Sequence, residues 1–253
     1  KGRSIYTLVK KSGAEEHILK AVAELVGKPK RSVIEKAYDV LSLPDEFIPF
    51  MKSNPKDPDF INAFHYLTIT RGITKYDILK HNIGYCDKGL YAGMVIIPSY
   101  DSSGQLNFFT GRTYYNNSSF KHKNPKVSKD IIGFDIFVNW SETVTIVEGA
   151  FDAIAVKRNA IPLFGKKLLD ILKTKIMNSG TKRVNIALDS DAINDALDIC
   201  EYLISNGIEV RLVEMGDKDP SELGFESITQ KIKQSVPLTS SILMQKKILR
   251  SFA

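Results

Sequence analysis

The chain has 253 residues, of which 43% are hydrophobic and 25% are charged, and its formal net charge is +6 at pH 7. This is the composition of a globular protein that can bury a sizeable core, and the length favours two subdomains. No apolar run approaches the ~20 residues of a membrane-spanning helix, and two cysteines are too few for a zinc ribbon. The composition therefore argues against a membrane protein and against a zinc site in this segment, and it fits a reducing cytoplasm.

The positive charge is unevenly distributed along the chain. Residues 1–140 hold 20 Lys and Arg against 14 Asp and Glu, whereas residues 141–253 hold 15 of each. Residues 102–129 contain no acidic residue, and their basic residues are Arg112, Lys121, Lys123, Lys126 and Lys129. Such a basic segment beside a neutral module predicts a surface for a polyanion, although a solvated lysine-rich loop would have the same composition.

Helical periodicity predominates in the first third of the chain. Residues 14–42 are predicted to form two helices. Four prolines within residues 44–58 favour an irregular connection or linker. Helical spacing resumes over residues 59–69, and Thr74 is predicted to cap a further helix, with Asp77 at the capping-box position.

The hydrophobic period then changes from that of a helix to that of a strand. Residues 93–100 and 105–115 alternate as two strands, and the turn residues Asp, Ser, Ser and Gly stand between them at 101–104. This pattern predicts an antiparallel hairpin. The polar stretch 116–129 is predicted to be a loop.

From Thr143 onward, strand-like and helix-like segments alternate. The strand-like runs are 143–148, 161–164, 183–189 and 208–215. Such alternation predicts an α/β fold with a parallel sheet and crossover helices. Residues 221–250 are predicted to be mostly helical, with a break near Pro237.

Five acidic residues stand where these strand-like runs stop. Glu148 and Asp152 follow the first run, Asp189 and Asp191 follow the third, and Asp219 follows the fourth. Because a parallel sheet gathers the carboxyl ends of its strands along one edge, we expect these acids to converge in space.

Convergent carboxylates predict a metal site. They cannot all stay ionised unless a cation lies among them, and all-oxygen ligation suits Mg²⁺ or Mn²⁺ rather than zinc. The chemistry that such a cluster most often supports is phosphoryl transfer. Helix capping is the alternative for each acid, and it weighs most for Asp152 and Asp219.

Short motifs around these acids resemble a known module. Glu148-Gly149 with Asp152, Asp189-Ser190-Asp191 and Lys218-Asp219-Pro220 are similar, in this order, to the motifs of the TOPRIM domain of primases and topoisomerases. In the first half, the matching motifs are Arg71–Ile73, Ile83–Tyr85, Gly111-Arg112 and Lys121–Asn124. The two halves together resemble the RNA-polymerase core of bacterial and phage DnaG-type primases. Ser221 departs from the family, which usually has an acid at that position.

The resemblance implies a domain organisation within the α/β class. An α+β N-terminal subdomain precedes a TOPRIM domain with a parallel sheet, and C-terminal helices follow. The implied segments are a helical segment and linker over 1–56, a basic subdomain over 57–140, the TOPRIM domain over 141–222 and a helical segment over 223–253.

The resemblance also implies roles for individual residues. The implied catalytic residues are Glu148, Asp189 and Asp191. The implied ligands of two Mg²⁺ or Mn²⁺ ions are Glu148, Asp152, Asp189, Asp191 and Asp219. Nucleotide or nucleic-acid binding is implied for Arg112, Lys121, Asn124, Lys129 and Lys218.

The function that follows from the resemblance is synthesis of short RNA primers on single-stranded DNA. The implied partners are the DNA template, nucleoside triphosphates, the RNA primer and a replicative helicase, and the implied location is the bacterial cytoplasm, with a phage origin equally open. A TOPRIM nuclease would use the same acids on DNA. A non-catalytic replication adaptor is a further alternative, although a binding platform gains nothing from crowded carboxylates.

Overall fold

The computed structural model describes residues 9, 12–26, 41–115 and 120–251. The chain divides into two compact units, residues 1–40 and residues 41–253. In the first unit, helix α1 spans Glu16–Val26, where the first of the two N-terminal helices is predicted. The second predicted helix falls mostly on residues 27–40, which lie outside the described residues. Within the described ranges, no helix is both long enough and apolar enough to cross a membrane.

The first sheet of the second unit is antiparallel and contains five strands in sequence order. Its strands are β1 (Ile48–Pro49), β2 (Gly84–Cys86), β3 (Met94–Tyr100), β4 (Leu106–Thr113) and β5 (His122–Lys123). β3 and β4 pair along their length, which confirms the predicted hairpin. In the turn, the Asp101 carboxylate accepts hydrogen bonds from the N–H groups of Ser103 and Gln105, which the chain reversal would leave unpaired.

The proline-rich segment takes part in this sheet, where an irregular connection is predicted. Ile48 and Pro49 pair with Tyr85 and Gly84 of β2, and Phe50 is buried. Gly84 leaves the space for this pairing, because a Cβ atom there would lie 2.4 Å from the carbonyl oxygen of Ile48. β1 is an edge strand, which is the position at which a sheet tolerates proline.

Two α-helices lie between β1 and β2. Helix α2 (Pro58–His65) continues into a π-helical turn over Tyr66–Thr70, and α3 spans Lys75–Lys80. The predicted cap of α3 is confirmed. The Thr74 hydroxyl accepts a hydrogen bond from the N–H of Asp77 at 3.2 Å, and the Asp77 carboxylate accepts one from the N–H of Thr74 at 3.1 Å.

The second sheet is parallel and has the strand order β7–β6–β8–β9. Its strands are β6 (Val144–Val147), β7 (Ala160–Pro162), β8 (Arg183–Ala187) and β9 (Glu209–Leu212). The helices that connect and follow these strands are α4 (Ala150–Val156), α5 (Asp170–Asn178), α6 (Ile193–Ser205), α7 (Pro220–Gln234) and α8 (Ser240–Ser251). The α/β class and the helix break near Pro237 are both as predicted.

Two buried clusters pack around the parallel sheet. One contains side chains of α5 and α6, such as Ile176 and Leu203. The other contains α4 side chains, such as Ile154, together with Tyr85 and Val95 of the antiparallel sheet. This second cluster is the shared core of the two sheets, and it fixes how they lie against each other.

A row of aromatic rings crosses the shared core, and we refer to Phe108, Phe164, Phe134 and His81 as the aromatic cluster. The ring centroids of Phe108 on β4 and Phe164 after β7 are 4.5 Å apart. Phe134 lies 6.1 Å from Phe164 and 4.7 Å from the His81 imidazole. Phe134 and Phe164 have φ angles of 57° and 51°, which bulky residues adopt only where packing holds them.

His81 is expected to make the folded state less stable in acid. Burial, reinforced by the charge of Lys80, lowers the pKa of its imidazole from 6.5 to about 4. Below pH 6.5 the unfolded chain therefore binds a proton that the folded chain does not, and stability is lost as the pH falls toward 4. The full difference corresponds to about 3 kcal/mol.

Urea unfolding between pH 7 and pH 5 tests this expectation. Between pH 7 and pH 5, His81→Phe should gain stability relative to the wild type, whatever its stability at pH 7, because the loss that the unprotonated His81 imposes is removed. His65 is exposed, so His65→Gln serves as the matched control and should keep the wild-type dependence. The same acid dependence in His81→Phe as in the wild type would contradict the expectation.

Candidate functional site

Three of the five acids converge at the carboxyl edge of the parallel sheet. β6 and β8 are neighbours in this sheet, and Val147 is in register with Ala187. Glu148 follows β6 directly, and Asp189 and Asp191 follow β8. One carboxylate oxygen from each of these acids lies within 4.8 Å of the other two. We refer to Glu148, Asp189 and Asp191 as the acid triad.

The acid triad fits a hard divalent cation. Among the described residues, the buried Oε2 of Glu148 and Oδ1 of Asp189 have no hydrogen-bond partner. A buried carboxylate oxygen without a partner is costly unless a cation satisfies it. The donor set consists of oxygen atoms alone, which is the set that Mg²⁺ or Mn²⁺ prefers. The triad could therefore hold such an ion.

The pKa values of Glu148, Asp152 and Asp189 are raised above their ordinary values. Burial, together with the charge of Asp189, raises the pKa of Glu148 to about 6. Burial and the charge of Asp219 raise the pKa of Asp189 to about 6, and the charge of Lys166 opposes that rise. Burial and the charge of Asp219 raise the pKa of Asp152 to about 7. These groups can lose their protons near neutral pH when a cation arrives.

The other two predicted ligands are held in helix caps beside the triad. Asp152 accepts hydrogen bonds from the N–H of Gly149 at 3.0 Å and from the N–H of Ser221 at 3.1 Å. Asp219 is the N-cap of α7 and accepts a hydrogen bond from the N–H of Glu222 at 2.7 Å. The capping alternative is thus present for both residues, and a metal-binding role for either stays a prediction.

A cleft of about 440 Å³ brings the acids together with basic side chains from the antiparallel half. Its acidic wall consists of Glu148, Asp152, Asp189, Asp219 and Glu222. Its basic wall consists of Arg71, Arg112 and Lys129. A cleft with charge of both signs suits a ligand that carries phosphates together with a metal ion.

Hydrogen bonds orient the predicted nucleotide-binding residues that line this cleft. Arg112 is on β4, and its guanidinium donates to Nε2 of His122 on the paired strand β5. Asn124 accepts a hydrogen bond from the Thr110 hydroxyl at 2.8 Å. Lys129 donates to a backbone carbonyl in the loop after β7. Arg112, Asn124 and Lys129 therefore reach the cleft as a group.

Two other predicted binding residues lie elsewhere on the surface. Lys121 and Lys218 are exposed, and neither is among the described residues that line the cleft. Lys123, two residues after Lys121, donates to the carbonyl oxygen of Leu90 at 2.8 Å. Successive side chains of a strand point to opposite faces, so His122 enters the cleft and Lys123 does not. A binding role for Lys121 or Lys218 stays a prediction.

Two cations of the site are absent from the residues predicted from sequence. Arg71 lines the cleft, donates to the Tyr66 hydroxyl at 2.8 Å and has its guanidinium 4.8 Å from the Phe151 ring centroid. Lys166 donates to Asp191 at 2.7 Å. Arg71 belongs to one of the motifs that carry the family resemblance, so the sequence does contain an indication of its role. Nothing in the sequence indicates a role for Lys166, because a lysine in a loop is common in any protein.

Comparison with known sequences gives one distant relative. No model of a known protein family matches the sequence. The uncharacterized protein MG010 of Mycoplasma genitalium is 25% identical over 174 residues, which are 64% of this chain and 78% of the relative.

Comparison with solved structures gives primase cores. The DnaG primase catalytic domain bound to single-stranded DNA is 18% identical, with a TM-score of 0.64 over 78% of each chain. The zinc-binding and RNA polymerase domains of Aquifex aeolicus primase are 19% identical, with a TM-score of 0.61 over 94% of this chain and 71% of that one. The E. coli primase catalytic core is 17% identical, with a TM-score of 0.63 over 80% of this chain and 81% of that one. The chain therefore has the DnaG-type primase fold, which confirms the resemblance at the level of the fold.

Replacing Asp189 by Asn is expected to stabilise the metal-free protein at pH 8. The ionised carboxylate is partly buried and is repelled there by its neighbours, and the neutral amide removes both costs. The pKa of Asp189 in the folded protein is about 6, against 3.8 ordinarily. In acid, protonation of Asp189 neutralises the carboxylate in the wild type as well. The greater stability of the variant therefore disappears as the pH falls toward 4. Because the group is half exposed and partly screened, we expect a gain on the order of 1 kcal/mol at pH 8.

Urea unfolding with a chelator at pH 8 and pH 5 measures this gain. Asp217 is exposed, so Asp217→Asn is the control and should have the stability of the wild type at both pH values. Added Mn²⁺ should stabilise the wild type more than Asp189→Asn. Equal stability of Asp189→Asn and the wild type at pH 8 would contradict the inferred cost of burying an ionised carboxylate beside other acids.

Proposed function

We propose that this chain is the catalytic core of a DNA primase, which synthesises short RNA primers on a single-stranded DNA template. The observation that carries the proposal is the charged cleft. Its acidic wall lies at the carboxyl edge of the parallel sheet, and its basic wall comes from the antiparallel half of a DnaG-type fold. The DnaG catalytic domain bound to single-stranded DNA gives a precedent for a DNA ligand on this fold.

The proposed reaction adds a ribonucleotide to the 3′ end of a primer. The 3′-hydroxyl attacks the α-phosphate of a nucleoside triphosphate, and pyrophosphate leaves. The protein contributes positioning and charge neutralisation, because the nucleotide brings its own leaving group. Arg112 and Lys129 would bind the triphosphate or the backbone of the primer and template, and the Asn124 amide can donate hydrogen bonds to the nucleotide or to the template.

The acid triad would hold the divalent ions, two of them by the expectation from the family. When bound, Mg²⁺ or Mn²⁺ neutralises charge on the phosphates and favours deprotonation of the attacking hydroxyl. The chain contributes preassembled ligands, because one carboxylate oxygen each from Glu148, Asp189 and Asp191 already lies within 4.8 Å of the other two. A replicative helicase as a partner rests on the family resemblance and stays a prediction.

The basic wall favours a polymerase over a nuclease. Both enzymes would use the acidic wall, but a nucleoside triphosphate brings more negative charge into the cleft than one phosphodiester does. The partnerless buried oxygens of Glu148 and Asp189 argue against an adaptor that binds without catalysis, since such oxygens only destabilise a protein that does not use them.

Extension of a dinucleotide on single-stranded DNA tests the proposed function. Labelled nucleoside triphosphates are supplied with Mg²⁺ or Mn²⁺, and the dinucleotide removes the need to start a primer. The wild type should extend the dinucleotide. The extension rate of Asp189→Ala and of Asp191→Ala should each be lower by about 10²-fold or more, because a metal ligand is lost. Asp217→Ala is the control, an exposed acid outside the cleft that should retain full activity.

The other outcomes decide between the alternatives. Degradation of the DNA without extension would overturn the primase proposal in favour of a nuclease. Bound DNA with neither product would overturn it in favour of an adaptor.

The basic wall is expected to contribute to binding of single-stranded DNA. Arg112→Ala should weaken binding and reduce the slope of log affinity against log salt by about 0.7, because one phosphate contact is lost. Lys123→Ala is the charge-matched control, since Lys123 contacts the Leu90 carbonyl instead of the cleft. Fluorescence anisotropy over a salt series measures both, and equal slopes for the two variants would contradict a specific role for Arg112.

A further inference from the structure

Lys166 lies in the loop after β7, at the same edge of the parallel sheet as the acid triad. Its Nζ donates to Oδ2 of Asp191 at 2.7 Å. Its charge also opposes the rise that burial imposes on the pKa of Glu148 and of Asp189. One ammonium group therefore acts on all three carboxylates of the triad.

The ion pair engages a carboxylate that a divalent cation would need. Asp191 supplies one of the three oxygens that lie within 4.8 Å of one another. An ammonium on this carboxylate and a divalent ion among the three oxygens would be a few ångströms apart, and their charges would repel each other. The two cations therefore compete for the triad.

We propose that Lys166 is a resident counter-charge of the acid triad, which a divalent cation displaces from Asp191 when it binds. The inference rests on the proposed function, because that function assigns the cation to the triad. Without metal, the ammonium neutralises part of the repulsion among the carboxylates. The side chain is 36% exposed, so it can turn toward solvent when the cation arrives.

An ordinary surface ion pair would behave differently. Such pairs contribute little to stability, and they leave other equilibria of the protein unchanged. A counter-charge that competes with a metal ion must lower the affinity of the protein for that ion. Metal affinity is therefore the quantity that separates the two interpretations.

The next residue along the chain provides a matched control. Lys167 carries the same charge in the same loop and is exposed. It makes no ion pair with any residue in the part of the chain that the structure describes. A long-range effect of net charge would be similar for both lysines, whereas direct competition would involve Lys166 alone.

The experiment is Mn²⁺ binding to the whole chain, measured by calorimetric titration or by the electron paramagnetic resonance signal of free Mn²⁺. No DNA and no nucleotide are present, so the readout does not depend on activity. Lys166→Met should bind Mn²⁺ roughly three- to tenfold more tightly than the wild type, because a nearby positive charge is removed. Lys167→Met should bind like the wild type, and Lys166→Arg should stay close to it because the charge is kept.

Thermal unfolding gives a second readout on the same variants. With a chelator present, Lys166→Met should unfold at a lower temperature than Lys167→Met, because the triad has lost its counter-charge. Added Mn²⁺ should then stabilise Lys166→Met by more than it stabilises the wild type. This pattern would also show that the variant is folded.

The outcomes distinguish this inference from the proposed function. Equal Mn²⁺ affinity in Lys166→Met and the wild type, or an equal gain in Lys167→Met, would overturn the inference alone. No Mn²⁺ binding by the wild type would overturn both the inference and the metal assignment of the proposed function. The expected change in affinity without any primer extension would support the inference and overturn the proposed function.

Discussion

Packing of Phe108 against Phe164 is the interaction on which the geometry of the site depends. One ring comes from the antiparallel sheet and the other from the loop after β7, so their contact ties the two sheets together. The carbonyl oxygen of Phe164 also accepts a hydrogen bond from Lys129 in the basic wall. Burial of Phe164 at a positive φ angle leaves this loop little freedom. The acidic and basic walls therefore meet in one cleft because an apolar contact below them sets their separation.

The electrostatics of the cleft work against stability. Burial raises the pKa of Glu148, Asp152 and Asp189 well above ordinary values, so each carboxylate costs free energy when it is ionised. A protein whose residues were arranged for stability alone would not gather these groups. Their convergence is the kind of local conflict that marks functional sites, where the shared core provides the stability that the site does not.

Much of the fold follows from short-range patterns in the sequence. The change of period after α3 predicts where helices give way to the β3–β4 hairpin, and the Thr74 cap of α3 forms as predicted. The segment around Pro49 is one exception, because proline signals a break whether or not the residues beside it pair at a sheet edge. Strand β5 is another, since it lies within the stretch 116–129 that is predicted to be a loop. The sequence also does not show that His122 faces the cleft while its neighbours along the chain do not. Strand register decides which side chains face the cleft, and a shift of one residue reverses the two faces.

The sequence by itself determined the α/β class, the order of the elements and the presence of acids at the ends of parallel strands. Periodicity, caps and motif spacing are local properties, and the chain records them directly. Only the tertiary structure decided that Glu148, Asp189 and Asp191 meet while Asp152 and Asp219 cap helices, and that Lys166 pairs with Asp191. Distances between side chains from separate segments depend on how the sheets and loops pack, and packing involves residues throughout the core.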